Sequence, residues 1–273
     1  MIKVNNLCKT YKVAKRNASF SEAVRNVFKR NYEYIHALQD ISFSINEGET
    51  VGYIGPNGAG KSSTIKILSG ILMPDSGECT VNGFIPWKNR IEYVKNIGVV
   101  FGQRSQLWWD IPVIDSFALL KNIYSIPQNI YKHNSEELIA LLNLEEIIKT
   151  PVRQLSLGQR MRCEIAASLL HSPAILFLDE PTIGLDAVSK LALRQFISEL
   201  NIKHKTTIIL TTHDMQDIEA ITNRIILIGK GKLLLDGTLD DIKKENLTLD
   251  ESLAVLYKRL NIASDKNENT LTE

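Results

Sequence analysis

Cysteine is scarce in this chain: Cys8, Cys79 and Cys163 are the three among 273 residues. An odd count with that spacing matches neither a metal-binding pattern nor a disulfide framework, and it fits a reducing, cytoplasmic compartment. An excess of charge is missing too. The formal net charge is +1, so no global field draws the protein onto nucleic acid or an anionic membrane. Long apolar runs are lacking. No segment approaches the ~20 apolar residues that a bilayer-crossing helix needs. The opening MIKVNNLCKTYK lacks the apolar stretch of a secretion signal. If the protein works at a membrane, another chain supplies the membrane part. No internal repeat and no extended heptad run is visible, which argues against a coiled-coil machine.

What is present is ordinary core-forming material, 44% hydrophobic and 23% charged, spread along the chain as in a soluble globular protein. Short apolar or alternating runs at 2–7, 38–45 and 50–54 read as strands. Between the first two, Phe20, Ala23, Val24, Val27 and Phe28 recur at helical spacing beside Arg25, Lys29 and Arg30. They predict an inserted basic amphipathic helix over about 19–32. It either packs on its own domain or meets lipid headgroups or a membrane partner. A glycine loop then opens a helix over 62–68. Hairpin-like strands near 77–83 and a strand over 97–101 follow. The stretch 104–172 is mostly helical, with helices at 115–123, 135–142 and 158–170. Strands at 175–178, 207–211, 224–228 and 232–236 then alternate with helices at 189–200 and 215–221. That alternation predicts an α/β fold built on a parallel sheet with helices on both sides. A further amphipathic helix over 249–260 lies in an extension spanning 241–263. The polar tail 264–273 has the composition of a disordered segment.

The segment GPNGAGKS follows an apolar strand and opens a helix, the context that a phosphate-binding loop requires. A polyphosphate is held by backbone N–H groups of a tight loop and by the positive end of the helix behind it. Gly55, Pro56, Asn57, Gly58, Ala59, Gly60, Lys61, Ser62 and the following Ser63 make up this candidate nucleotide site. Lys61 has the reach for the β- and γ-phosphates, and the Ser62 hydroxyl suits Mg²⁺. Such a loop needs a second acidic group for the metal and a group to orient water. AILFLDE supplies both, delivering Asp179 and Glu180 to the carboxyl end of a buried strand, where open α/β sheets bind ligands. Asp179 is the candidate metal residue and Glu180 the candidate for polarising the attacking water.

LSLGQ, residues 155–159, resembles the signature sequence of ATP-binding cassette (ABC) ATPases, usually LSGGQ, and stands ahead of Asp179 at that family's separation. Leu157 replaces a common glycine, while Ser156, Gly158 and Gln159 keep their places. The resemblance runs over residues 1 to about 240 and implies further roles. Tyr11 matches the aromatic residue that stacks on adenine. Gln103 matches the glutamine that senses γ-phosphate and metal; Gly102 separates it from the aromatic residue it usually follows, which leaves Gln106 as the reserve candidate. Asp186 matches the loop that contacts the opposite subunit, and His213 the switch histidine.

The fold implied is a P-loop NTPase core, a mostly parallel sheet with flanking helices, joined to an antiparallel β subdomain and a helical subdomain over about 104–172 that carries the signature. The implied activity is ATP hydrolysis with ATP and Mg²⁺. Glu180, His213, Gln103 and Lys61 would be catalytic, and Ser62, Gln103 and Asp179 would lie at the metal. Two copies, or two related subunits, would share composite sites. Family members of this size mostly serve separate membrane-spanning subunits at the cytoplasmic face of the membrane. The stretch FGQRSQLWWDIP, with Trp108 and Trp109, resembles a branch of exporters described for drugs or viologens. The alternative within the family is a soluble ATPase acting in cluster assembly or on ribosomes. No nucleic-acid partner is expected.

Overall fold

The computed structural model describes residues 1–14, 32–102, 104–243 and 247–256. Its strands form two sheets. In the smaller, β1 (Ile2–Ala14), β2 (Tyr32–Ile45) and β4 (Ser76–Val81) pair antiparallel in the order β2-β1-β4. The larger contains β3 (Thr50–Ile54), β5 (Ile97–Phe101), β6 (Ile175–Asp179), β7 (Thr207–Thr211), β8 (Arg224–Gly229) and β9 (Lys232–Thr238). Their order is β5-β6-β7-β3-β8-β9, parallel except for the final β8–β9 hairpin.

The central strands are apolar without alternation because both of their faces are covered. Every residue of β3 and β7 is buried. Strand geometry nevertheless sends successive side chains to opposite faces, and that divides the core in two. Tyr53, Phe177, Ile209 and Ile226 pack with Ile2, Val4, Phe43 and Val81 of the small sheet. Their neighbours Ile54, Leu176, Leu178, Leu210 and Leu227 pack with the helical side of the molecule. Phe177 lies fully buried in the first layer. Phe177→Ala should therefore lower the unfolding free energy by about 3–5 kcal/mol, read as a fall in the urea midpoint; an unchanged midpoint would contradict this layering.

The helices are α1 (Lys61–Leu68), α2 (Arg90–Val94), α3 (Val113–Ile123), α4 (Gln128–Leu141), α5 (Leu157–Leu169), α6 (Ala187–His204), α7 (Met215–Ile221) and α8 (Leu239–Ile242). Pro112 and Pro127 stand at the N-caps of α3 and α4, where a ring without N–H costs no helical hydrogen bond. Residues 249–256 are also helical.

Several boundaries differ from the sequence reading. β1 and β2 continue to Ala14 and Tyr32, which pair across the ladder. Residues 12–14 and 32–36 are exposed and 8–11 only half-buried, so no apolar alternation marks them, and the strands continue through cross-strand pairing. Tyr32, the last residue of the expected inserted helix, is therefore in a strand; the rest of that helix lies outside the described residues, as does the tail 264–273. The hairpin expected near 77–83 is one strand that pairs with β1 and ends in a tight Val81–Phe84 turn. α4 begins at Gln128, well before the expected 135; its first turns carry few buried side chains, so no apolar periodicity marks them in the sequence.

Candidate functional site

Parallel pairing in register sets the carboxyl ends of three strands side by side. Phe101 of β5 pairs with Asp179 of β6, and Asp179 pairs with Thr211 of β7. β3 ends beside them at Ile54 and passes into the glycine loop. Candidate groups from distant parts of the sequence thus meet at one sheet edge.

The loop wraps tightly before α1. Gly60 has φ +109°, and a Cβ there would stand 2.4 Å from the carbonyl oxygen of Ala37, so only glycine fits without moving backbone. Lys61 is buried, and its Nζ donates to the carbonyl oxygens of Gly55 at 2.6 Å and Pro56 at 3.1 Å. Burial lowers the pKa of its ammonium, opposed by the nearby carboxylates of Glu180 and Asp179. The amine is therefore held in place before any phosphate arrives.

Asp179 Oδ1 accepts from Thr211 Oγ1 at 2.5 Å and lies 3.5 Å from Ser62 Oγ. Glu180 adopts a left-handed backbone conformation, φ +56°. Its N–H donates to the carbonyl and hydroxyl oxygens of Thr211 at 2.9 and 3.1 Å. His213 Nε2 lies 3.2 Å from Glu180 Oε2. Two adjoining cavities of about 490 and 280 Å³ share Asn57, Ser62 and Glu180 in their walls and form one open trough over the loop. Asp179, Arg104 and His213 line one end. Tyr11, Ile35 and Lys61 line the other, where the Tyr11 hydroxyl lies 3.2 Å from Ser63 Oγ.

The signature residues stand elsewhere. Ser156 caps α5 in a reciprocal box: its Oγ accepts from the Gln159 N–H at 3.2 Å, and its own N–H donates to Gln159 Oε1 at 2.9 Å. Gly158 faces the first turn of α6, where a Cβ would come within 2.5 Å of Ser189 Oγ. Asp186 caps α6 through Ser189, accepting from its N–H at 2.9 Å and its hydroxyl at 2.7 Å. Those bonds hold the exposed Asp186 carboxyl below the usual carboxylate range. Ser156, Gly158 and Asp186 thus gather at one corner, beside the exposed apolar side chains of Val188 and Leu191. Among the described residues, none of Ser156, Gly158 and Gln159 lines the trough.

Gln103 lies outside the described residues. Its reserve, Gln106, is turned away from the trough and committed to α5. Its N–H donates to Glu164 Oε2 at 3.0 Å, and its side-chain amide donates to the Glu164 carbonyl at 2.8 Å. Ser105 adds a hydroxyl bond to the same carboxylate. Glu164 is buried, and burial raises its pKa against these donors. The sequence reading did not single out Thr211, Arg104 or Ile35. Thr211 was legible in TIILTTHD as a hydroxyl at a strand's carboxyl end, whereas nothing in the sequence marked the other two.

The oxygen-rich pair Ser62–Asp179 suits a hard divalent ion that keeps waters and takes further oxygens from a phosphate. Among the described residues there is no cluster of three or more His, Cys, Asp or Glu that could hold a metal by itself.

Comparison with known proteins gives one consistent result. The family model described as ABC transporter matches residues 38–183. The ABC transporter ATP-binding protein NatA of Bacillus subtilis (strain 168) is 30% identical over 231 residues, covering 85% of this chain and 94% of that protein. The linearmycin resistance ATP-binding protein LnrL of the same organism is 33% identical over 214 residues, covering 78% of this chain and 68% of that protein. A dimeric ATP-binding cassette, solved in a post-hydrolysis state with ADP and Pi, superposes with a TM-score of 0.73 at 27% identity, covering 88% of this chain and 99% of that one.

Proposed function

This chain belongs to the ABC transporter family of ATP-binding proteins, and on that premise we propose that it is one half of an ATP-closed dimer that drives a separate membrane-spanning partner, in an exporter. One observation carries the dimer: the trough and the signature corner occupy different parts of the chain. A trough built from Lys61, Ser62, Asp179, Glu180 and His213 is open toward solvent, and a second copy can complete it with Ser156, Gly158 and Gln159. The N-terminal end of α5 then faces the γ-phosphate from the far side, and Asp186 meets the opposite copy. ATP acts as the joint, and hydrolysis releases it.

The roles follow from position. Tyr11, at the end of the trough away from Asp179, takes the adenine ring. Backbone N–H groups of Gly58 to Ser63 and the Lys61 amine hold the β- and γ-phosphates. Ser62 and Asp179, 3.5 Å apart, would hold Mg²⁺, and Gln103 is carried as a further candidate by the family resemblance alone; the ion's chemistry would be to neutralise phosphate charge. Glu180 orients and polarises water, and His213, within hydrogen-bond reach of Glu180, stands over the γ-phosphate. Residues 1–240 form the ATPase domain, with 104–172 as its helical part and 241–263 as an extension.

No helix among the described residues is long and apolar enough to cross a membrane. As in its family, this subunit works with a separate membrane-spanning chain and lies on the cytoplasmic face of the membrane. Trp108 and Trp109 are exposed at 40% and 51% on the loop that leads into α3. Exposed aromatics of this kind anchor interfaces, and they are placed to dock that partner. LnrL, whose name records resistance to linearmycin, supports export as the direction. Purification of the tagged chain from detergent-solubilised membranes should recover an integral membrane protein in fixed ratio. Trp108→Ala/Trp109→Ala should lose that protein while keeping ATP-dependent dimerisation. Recovery from the soluble fraction alone would remove the transport reading and leave the ATPase.

A further inference from the structure

We propose that Asp217, a residue that touches neither nucleotide nor metal, sets the relative position of Glu180 and His213 and so controls turnover. The proposal rests on the roles given above to those two residues. Asp217 lies on α7 and is fully buried. Its Oδ2 accepts from Thr182 Oγ1 at 2.5 Å and from Thr212 Oγ1 at 2.9 Å, and its Oδ1 accepts from Arg194 Nε at 2.6 Å. Thr182 is two residues after Glu180, and Thr212 immediately precedes His213. Arg194 lies on α6, the helix capped by Asp186, and also donates to Asp214 at 3.1 Å. One carboxylate therefore joins the segment that carries Glu180, the segment that carries His213 and the helix behind the signature corner.

The Glu180 backbone shows why such a clasp is needed. Its left-handed φ of +56° is a conformation that persists only where surrounding bonds enforce it. Thr211 enforces it on the N-terminal side through two bonds to the Glu180 N–H. On the C-terminal side the chain turns at once, with Ile183 N–H donating to the Glu180 carbonyl at 3.3 Å. Thr182, inside that turn, is tied to Asp217. In this arrangement all three partners of Asp217 donate to its carboxylate; an amide in its place removes the negative charge and, keeping its oxygen on Arg194, makes the hydroxyls of Thr182 and Thr212 turn round to accept from its NH2.

Asp217→Asn should leave the ATP dissociation constant within about twofold and lower kcat by roughly 10- to 100-fold, the scale of a misplaced catalytic group. Because this change also removes the buried charge that Arg194 pairs with, Thr182→Val supplies the second variant. It removes one hydroxyl and keeps the Asp217–Arg194 pair. Its kcat should fall at least severalfold with ATP affinity unchanged, and Thr182→Ser should restore it. Wild-type kcat in Thr182→Val would overturn the proposal, whatever the stability of Asp217→Asn. Equal loss in the valine and serine variants would overturn it too. Failure of the underlying roles would look different: Glu180→Gln would then hydrolyse ATP normally.

Discussion

Glu180→Gln should bind Mg-ATP, run as a dimer on gel filtration and turn over about 10²- to 10⁴-fold more slowly, the range spanned by removing a general base. The amide has the shape of the carboxylate, so the trough keeps its walls and the Lys61 amine keeps its bonds to Gly55 and Pro56. What disappears is a group that can take a proton from water. A negative charge beside the γ-phosphate disappears as well. In the closed dimer that charge repels the phosphate it faces, so its removal favours closure while chemistry stops. The His213 ring, 3.2 Å from Glu180 Oε2, can still accept or donate to an amide. Hydrolysis at the wild-type rate, or a monomer in Mg-ATP, would assign water activation to another residue.

Much of this site could be read before any coordinates because its chemistry depends on short local patterns. A glycine loop between strand and helix, or two carboxylates after an apolar run, needs only a few neighbouring residues to be recognised. The sheet then brings the pieces together through register, with Phe101, Asp179 and Thr211 in one row. The parallel core was legible for a related reason, since strands covered on both faces read as unbroken apolar runs. The outer halves of β1 and β2 were not, because they carry no buried apolar alternation and become strands by pairing with one another.

Gln106 shows what sequence spacing does not carry. The resemblance put Gln103 first and kept Gln106 in reserve three residues on, and what takes Gln106 away from the trough is a partner distant in sequence. That partner is Glu164, whose buried carboxylate and carbonyl engage Gln106 and remove it from the trough. Asp217 was hidden for the same reason. In the sequence it is one acid in an acidic helix, and its three donors come from Thr182, Arg194 and Thr212. Positioning groups of this kind are invisible in sequence because they are defined by which segments they join.

The division of the site between two copies leads to the second large effect. Lys61→Ala should abolish hydrolysis by emptying the phosphate loop of its fixed charge. Ser156→Arg should abolish it by blocking the signature corner, without touching the same chain's trough. Each variant alone has two defective sites per dimer. When the two are mixed, a mixed dimer carries both defects at one site and neither at the other. Random pairing makes half of the dimers mixed, so about one quarter of wild-type activity should return. Recovery in the mixture requires that Ser156 act on the nucleotide of the opposite copy, because two chains that each hydrolyse alone cannot repair one another. The Ser156 variant should meanwhile bind ATP as a monomer with unchanged affinity, since Ser156 lines neither part of its own trough. A mixture as inactive as its components, from two variants that remain folded, would place the whole reaction within one chain and make the separation of the two corners irrelevant to catalysis.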